Sequence, residues 1–269
     1  MRFKEYFKKK QSQAFWNFIL KNLDKPWDFL ALSANPNITW EIINENLDKP
    51  WDWRWISLNP NITPKIIEEN PDKKWNYYNL SENTSMTWDF IEKNPNKKWN
   101  WDKLSLNPII TPKIVEENPD KKWNWNKLSK NTSMTWDFIQ KKLDKEWNWN
   151  SLSSNFGITF ENIINNLDKK WNWALVSSNK NITLQIVKKH PEMEWSLFYL
   201  SANPSINFED IESNPDLQWN WKRVFQNSNI DIQNYFDNVD EKMYNFKYLS
   251  YVVTLKYDFI KKYLDKDWD

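Results

Sequence analysis

The side chains that most often carry catalysis are scarce in this chain of 269 residues, which has one histidine, one glycine and no cysteine. His190 stands before a proline, at a repeated position that Asn70 and Asn118 fill elsewhere, so we interpret it as a turn residue. One histidine in such a place supplies neither a serine triad nor a multi-histidine metal site. Without cysteine there is no thiolate nucleophile, and Gly157 alone does not form a phosphate-cradling glycine loop.

Acidic side chains number 36, and two of them could act as general acid and general base, as in glycosidases. The most regular ones, Asp72 and Asp120 among them, return in repeat after repeat. A catalytic pair would be a singular departure from such a pattern, and we find none. We therefore predict a non-enzymatic protein with no cofactor and no metal.

Tryptophan is the residue type best suited to binding ligands, with 21 copies in the chain. Indole rings stack on sugars, bases and methylated amines. One set of tryptophans, however, returns every 24 residues without exception, and such regularity is what shared packing requires. We predict that this tryptophan ladder is structural; it consists of Trp27, Trp51, Trp75, Trp99, Trp123, Trp147, Trp171, Trp195 and Trp219.

A second aromatic residue follows two positions after most ladder tryptophans, as Trp101 follows Trp99. On a helix the two rings would point about 200° apart. Stacked repeats can bury both sides of a helix, so we expect both sets of rings in the core. The alternative is that the second set is partly exposed for binding.

Each 24-residue repeat is predicted to hold two short helices. Helix A is predicted from Asp120 to Ser129 and helix B from Thr111 to Asn118, with Asp120 and Thr111 as N-caps and Pro112 in the first turn. Helix B spans about two turns and is open to a partly 3₁₀ conformation. Isolated helices shorter than about 12–15 residues are marginal in water, so stability must come from stacking between repeats.

These features predict an all-α solenoid, a superhelix of about ten two-helix repeats forming one continuous domain. Residues 1–26 form an N-terminal cap or partial repeat, and residues 27–243 hold nine tandem repeats of 24 residues. Residues 244–269 form C-terminal partial repeats or a cap. The last repeat loses its Asn-Pro marks, as expected where one face of an array meets water.

The repeat resembles known ones. Leu104-Ser105, Asn107-Pro108, Pro112 and the aliphatic pair after it are similar to the leucine-rich variant repeat, which implies an α-helix and a 3₁₀-helix in a right-handed superhelix. The chain departs from that family by placing tryptophan and asparagine where the family has small aliphatic and charged residues. The Trp-Asn-Trp and Asn-Pro-Asp-Lys segments of residues 16–269 also resemble tryptophan-rich repeats of giant DNA viruses, which implies a viral source.

Two polar columns run through the repeats. Asn107 belongs to an asparagine column that we predict to form hydrogen bonds within and between repeats, with recognition of nucleotide bases as the alternative. A lysine column could follow a phosphate backbone or another acidic surface, although neighbouring aspartates weaken it. This candidate basic edge consists of Lys49, Lys73, Lys97, Lys121, Lys145 and Lys169.

In repeat proteins the binding specificity is determined by the positions that vary between repeats, while the framework positions stay constant. Here these include the third and fourth residues after each ladder tryptophan. The predicted function is a scaffold for protein–protein interaction or structural assembly; the alternative is nucleic-acid or acidic-surface binding. The candidate partner surface consists of Arg54, Trp55, Tyr78, Phe198, Tyr199, Lys222 and Arg223.

Charge and hydropathy narrow the other expectations. The formal net charge is +1, so no global field draws the chain to nucleic acid or membrane. The first residues lack the apolar run of a signal peptide, and no stretch reaches membrane-spanning length. We expect an intracellular protein that is not secreted and does not bind a membrane; if it is viral, it would lie in the host cytoplasm or the virion. We expect a protein partner, and the ends of the array could also join copies of the chain into a homo-oligomer.

Overall fold

The computed structural model describes residues 3–230 and Lys261. These residues form eighteen helices joined by turns, and none of them lies in a strand, which confirms the predicted all-α class for this part of the chain. The chain divides into two compact units, Met1–Met134 and Thr135–Asp269. The array end predicted after residue 230 and the C-terminal cap at 244–269, Lys261 apart, lie outside the described residues.

The first helix, α1, spans Phe3–Lys21, where the repeat pattern would place two short helices. Trp16 and Ile19 in its second half are almost fully buried. Its residues 6–11 are exposed, and Lys8 Nζ donates a hydrogen bond to Asn61 Oδ1 at 3.1 Å. The predicted N-terminal cap is thus one continuous helix anchored by its second half.

Short helices then alternate along both units. Each repeat, named here by its ladder tryptophan, contains a helix A soon after that tryptophan, and the repeats from Trp27 to Trp195 contain a helix B in their second half. The A helices are α2 Phe29–Ala34, α4 Trp53–Leu58, α6 Tyr77–Leu80, α8 Trp101–Leu106, α10 Trp125–Leu128, α12 Trp149–Ser153, α14 Trp173–Ser177, α16 Leu197–Leu200 and α18 Trp221–Val224.

The B helices begin where the sequence predicts, after a threonine or asparagine N-cap. In α9, Thr111 Oγ1 accepts a hydrogen bond from Ile114 N at 3.4 Å, and Val115 N donates to the Thr111 carbonyl at 3.2 Å. The latter is the i to i−4 bond of an α-helix, so these helices are α-helical, and several of them close with an i to i−3 bond of the 3₁₀ type, as from Asn70 N to the Ile67 carbonyl at 3.3 Å. They are α3 Trp40–Glu45, α5 Pro64–Glu69, α7 Trp88–Lys93, α9 Pro112–Glu117, α11 Trp136–Lys141, α13 Phe160–Ile164, α15 Leu184–Lys189 and α17 Phe208–Glu212.

Helix A begins later than predicted, and its N-cap is a different residue. Asp120 does not cap α10; it lies in the preceding turn and pairs with Lys121 at 3.0 Å. The cap is Asn124, whose Oδ1 accepts a bond from the third N–H of the helix at 3.0 Å. The reason is a tight turn in which Trp123 N donates to the Lys121 carbonyl at 2.8 Å, which keeps the chain out of helical geometry until Asn124. The same correction applies to Asp24, Asp48, Asp72, Asn96, Asp144, Asp168, Glu192 and Asp216, all of which lie in turns.

The core of each unit is lined by aliphatic side chains from helix A, helix B and the turn between them. They recur at the same positions of each repeat and are almost completely shielded from solvent. Examples are Leu104, Ile110 and Val115 in the first unit and Leu152, Ile158 and Ile163 in the second. Among the described residues, no helix combines the length and the apolar character needed to cross a bilayer.

Candidate functional site

The ladder tryptophans are hydrogen-bonded through their indole nitrogens. In every described repeat, Nε1 donates to the backbone carbonyl five residues earlier, near the end of the preceding B helix, over 2.6–3.0 Å. Trp75, Trp99, Trp123, Trp147, Trp171 and Trp219 are buried, and Trp27, Trp51 and Trp195 are half-buried. Because the polar edge of each indole is used internally, the ladder has a structural role, and phenylalanine would not replace it.

The second aromatic residues are half-buried in most repeats, and six of them pack against the ladder tryptophan of the next repeat. In the first unit Trp53 meets Trp75 at 5.3 Å between ring centroids and an interplanar angle of 86°. In the second unit Trp149 meets Trp171 at 5.1 Å and 85°. Edge-to-face pairs of this kind favour stacking beyond the area they bury. Trp221 is the most open of these rings, at 36% exposed.

A buried serine near the end of each A helix except α18, where Phe225 takes its place, joins neighbouring repeats. Ser57 Oγ donates to the Trp53 carbonyl at 2.7 Å and accepts from the backbone N–H of Asn76, 19 residues on, at 2.9 Å. In the second unit Ser177 Oγ likewise donates to the Trp173 carbonyl. It accepts from the backbone N–H of Ser196 at 2.9 Å. The hydroxyl is therefore fully used inside the protein.

The asparagine column forms the predicted hydrogen-bond ladder. Asn83 Nδ2 lies 3.0 Å from the carbonyls of Ser57 and Asn59 in the preceding repeat and 3.3 Å from that of Ile62, while its Oδ1 accepts from Ser85 N at 2.8 Å. The column members from Asn59 to Asn227 are buried, and a side chain bonded as Asn83 is has no atoms left to read a nucleotide base; Asn35, at the start of the column, is half-buried. The described members are Asn35, Asn59, Asn83, Asn107, Asn131, Asn155, Asn179, Asn203 and Asn227.

The candidate basic edge is locally neutralised. Five of its lysines pair with the aspartate immediately before them: Lys49, Lys73, Lys121, Lys145 and Lys169, with Nζ to carboxylate distances of 2.6–3.0 Å. The lysine hydrogen bonds lower the pKa of each of these aspartates. Lys97 follows an asparagine instead, and its Nζ lies 5.0 Å from the Tyr77 ring centroid.

In the first unit, the candidate partner surface includes exposed aromatic rings whose neighbouring cations are already paired. Trp55 is 37% exposed. Next to it, Arg54 Nη2 lies 2.6 Å from Asp52 Oδ2, and this hydrogen bond is the main reason that the pKa of Asp52 is lowered.

Tyr78 is the most exposed ring of this candidate surface, at 52%. Lys103 Nζ lies 4.5 Å from its ring centroid and also 2.6 Å from Glu82 Oε2. One face of the ring is therefore occupied by a lysine that is itself neutralised.

In the second unit the candidate residues form a cluster of different charge. Phe198 is 44% exposed and meets the half-buried Tyr199 edge to face, with centroids 5.2 Å apart. Arg223 Cζ lies 4.3 Å from the Phe198 centroid, and Lys222 is exposed beside it in α18. Among residues 3–230, Arg223 has no carboxylate partner; its Nη1 lies 3.4 Å from Gln226 Oε1. The structure thus joins Phe198, Tyr199 and Arg223 in one basic aromatic surface.

A pocket in the second unit was not predicted from the sequence. It has a volume of about 540 Å³, and Met193, Trp195, Leu197 and Leu217 contribute apolar side chains to its wall, with Asp216 at the same site. The sequence does mark this pocket, because the repeated columns are interrupted there. Met193 and Leu217 stand at positions of the lysine column, and Leu197 stands at the position of a second aromatic residue. The predicted sites were residues that recur from repeat to repeat, so a pocket formed where the recurrence stops was not predicted.

A pocket of about 400 Å³ in the first unit shares four of its lining positions with this one. Trp75, Tyr77, Asn96 and Lys97 line it, and these stand 120 residues before Trp195, Leu197, Asp216 and Leu217, that is, five repeats earlier. Here the chain places its own ring and its own ammonium group, since Lys97 lies over Tyr77.

Comparison with known proteins adds no assignment. The chain matches no protein-family model, no curated protein and no solved structure. Within the described residues, no three histidine, cysteine, aspartate or glutamate side chains are grouped as a metal site. Function must therefore be argued from the chain's own surfaces.

Proposed function

We propose that this chain is a non-enzymatic scaffold whose repeats stack as a solenoid and bind a protein partner at their variable positions. The supporting observation is the surface formed by Phe198, Tyr199 and Arg223, in which an exposed ring carries a guanidinium group that has no carboxylate partner in the described residues. Aromatic and arginine side chains are the types that most often dominate protein interfaces. A partner segment with an apolar residue next to an acidic one fits this surface.

The framework supports the same assignment by elimination. The polar atoms of the framework side chains form hydrogen bonds with the backbone of neighbouring residues. Trp75 shows this for the ladder tryptophans, Ser57 for the buried serines of the A helices and Asn83 for the asparagine column. The basic edge is held in ion pairs with adjacent aspartates, which reduces its attraction for phosphate. The variable surface residues are the part of the repeat with unused binding capacity.

The test is a selection of displayed random peptides on the immobilised full chain, followed by calorimetric titration of the enriched sequences. We expect acidic-apolar peptides, and we expect Phe198→Ala or Arg223→Gln to weaken them by about tenfold or more, as at an interface hot spot. Since Phe198 is exposed, its replacement should leave the thermal unfolding midpoint unchanged, which circular dichroism checks.

The matched control is Arg54→Gln, because Arg54 occupies a similar variable position but is already paired with Asp52. It should leave binding unchanged. Peptides that bind the wild type and both second-unit variants equally well would contradict the proposal. Tight RNA or DNA binding that falls steeply with salt and ignores Phe198→Ala would replace it with the nucleic-acid alternative.

A further inference from the structure

The pocket beside Trp195 exists because one repeat departs from the framework at several positions together. At every earlier ladder tryptophan from Trp51 on, the second-aromatic position of the preceding repeat carries an aromatic ring; before Trp219, it carries Leu197. Ser196 also makes no side-chain cap on α16, unlike the aspartate and asparagine caps of the other A helices. The smaller side chain leaves space where a ring would otherwise pack.

Charge at the pocket is unbalanced by the same departures. In six other described turns the aspartate pairs with the lysine that follows it, as Asp168 does with Lys169 at 2.6 Å. Asp216 is followed by Leu217 instead, and no cation within residues 3–230 forms an ion pair with it. This repeat therefore keeps the aspartate of the repeated aspartate–lysine pair and lacks the lysine.

The pocket of the first unit shows what the positions of Leu197 and Leu217 carry five repeats earlier. There the ammonium group of Lys97 sits 5.0 Å from the centroid of the Tyr77 ring. In the second unit the ring has become Leu197 and the ammonium-bearing residue Leu217, so the chain supplies neither. A molecule that carries both an apolar body and a cationic group would restore both.

We propose that this pocket binds a small organic cation, an ammonium group joined to an apolar body. The ammonium group pairs with Asp216, in the role that the column lysine has in other repeats. The apolar body lies against Met193, Trp195 and Leu197. The volume of about 540 Å³ and the mainly apolar wall with few polar groups are those of small-molecule sites. This inference does not depend on the proposed protein-binding function.

One basic residue, Lys188, also lines the pocket, and its charge would oppose the binding of a cation if it faced the ligand. It lies in the last turn of α15 beside Lys189, where the carbonyl end of a helix favours cations, and its side chain is exposed. A long exposed lysine can turn into solvent, whereas the side chain of Asp216, although also exposed, is too short to move far from the turn that lines the pocket. We therefore assign charge selection to Asp216, and the experiment compares amine with acid directly.

Methionine methyl NMR gives a local readout, because the chain has only five methionines and Met193 is in the pocket wall. The full chain, labelled with ¹³C at the methionine methyl groups, is titrated with tryptamine, with indole-3-propionate as the acid of similar shape and with uncharged 3-methylindole. Met193→Leu identifies the signal. We expect a saturable shift of the Met193 methyl with tryptamine, weaker binding of 3-methylindole, and the weakest binding of the acid.

Variants then separate charge from space. Asp216→Asn should lower tryptamine affinity about tenfold, the effect of losing a hydrogen bond to a charged group, and leave 3-methylindole unchanged. Leu217→Lys restores the column lysine and should also displace the amine. Leu197→Trp refills the space and should abolish the shift with all three probes. Asp168→Asn, in the same column but outside the pocket, is the control and should change nothing.

The proposal is overturned if tryptamine leaves the Met193 methyl unmoved up to about 1 mM, the weak end of specific binding. It is equally overturned if indole-3-propionate binds as tightly as tryptamine, or if Asp216→Asn binds tryptamine as the wild type does. Retained binding in Leu197→Trp would place the ligand elsewhere and would also contradict the assignment.

Discussion

The pocket at Trp75 and the pocket at Trp195 share four lining positions of the repeat, and two of these positions carry different kinds of side chain in the two units. Both tryptophans donate to a carbonyl five residues earlier, at 2.8 and 2.7 Å. In the first unit Tyr77 and Lys97 put a ring and a cation into the site; in the second, leucines stand at both positions. One framework can therefore line such a pocket with a ring and a cation of its own, or with leucines at both positions.

The largest test of this comparison concerns the ladder itself. Trp123→Ala should destabilise the protein by about 3–5 kcal/mol, the usual cost of removing a buried tryptophan. Its ring lies 5.2 Å from that of Trp101 and 5.8 Å from that of Trp88. Trp219→Ala should cost less by about 0.5–1.5 kcal/mol per missing aromatic pair, since its equivalent positions carry Leu184 and Leu197. Chemical denaturation measures both; equal losses would show that the aromatic pairs contribute nothing.

The next test asks whether the framework is the same in both units. Asn83→Ala and Asn203→Ala should each cost about 2–3 kcal/mol, because each removes the shared donor of three buried carbonyls. We expect the two losses in free energy of unfolding to agree closely. A neutral result at either position would mean that the ladder does not stabilise its unit.

A reciprocal exchange of the distinguishing residues should give a smaller effect. Tyr77→Leu should destabilise by about 1–2 kcal/mol by removing the ring that meets Trp99 at 5.2 Å. Leu197→Tyr should stabilise by about 0.5–1 kcal/mol by supplying that ring to Trp219. Thermal unfolding reports both signs. Destabilisation by Leu197→Tyr would mean that the open pocket is too tightly packed to take a ring.

The smallest effect is expected at the turn ion pairs. Lys169→Met makes Asp168 resemble Asp216 in lacking a following lysine. The hydrogen bond from Lys169 lowers the pKa of Asp168, so its contribution to stability is present above the unfolded-state pKa of about 3.9 and is lost as the pH falls through the lower folded-state value. The variant should raise the pKa of Asp168, measured by carboxyl ¹³C NMR. An unchanged pKa would show that the pair does not form in solution.

The sequence predicted most of the framework because each of its positions has one physical solution. A residue such as Thr111 before Pro112 marks a helix start, and an asparagine that recurs in a turn must satisfy backbone groups. The A-helix cap was wrongly assigned because Asp120 and Asn124 are both good caps. Only the tight turn from Trp123 back to Lys121 decides between them.

The sites were harder to predict for a related reason. Exposure of Tyr78 and Phe198 followed from their variable positions, but their charge environment did not. Whether a neighbouring cation is neutralised depends on side chains from another repeat, as with Lys103 and Glu82. The pocket depends on the absence of an aromatic ring at Leu197 and of a lysine at Leu217. The sequence shows both substitutions, but only the structure shows the space around Leu197.

The asparagine ladder also controls how the protein can change in length. Asn59 Nδ2 bonds to carbonyls 26, 24 and 21 residues earlier. Inserting one residue into a repeat would shift all three acceptors, whereas adding or deleting a whole block of 24 residues gives every amide an equivalent partner. Length variants of this protein should therefore differ by whole repeats. A site such as the open pocket can then be copied, moved or lost as a unit without redesign of its surroundings.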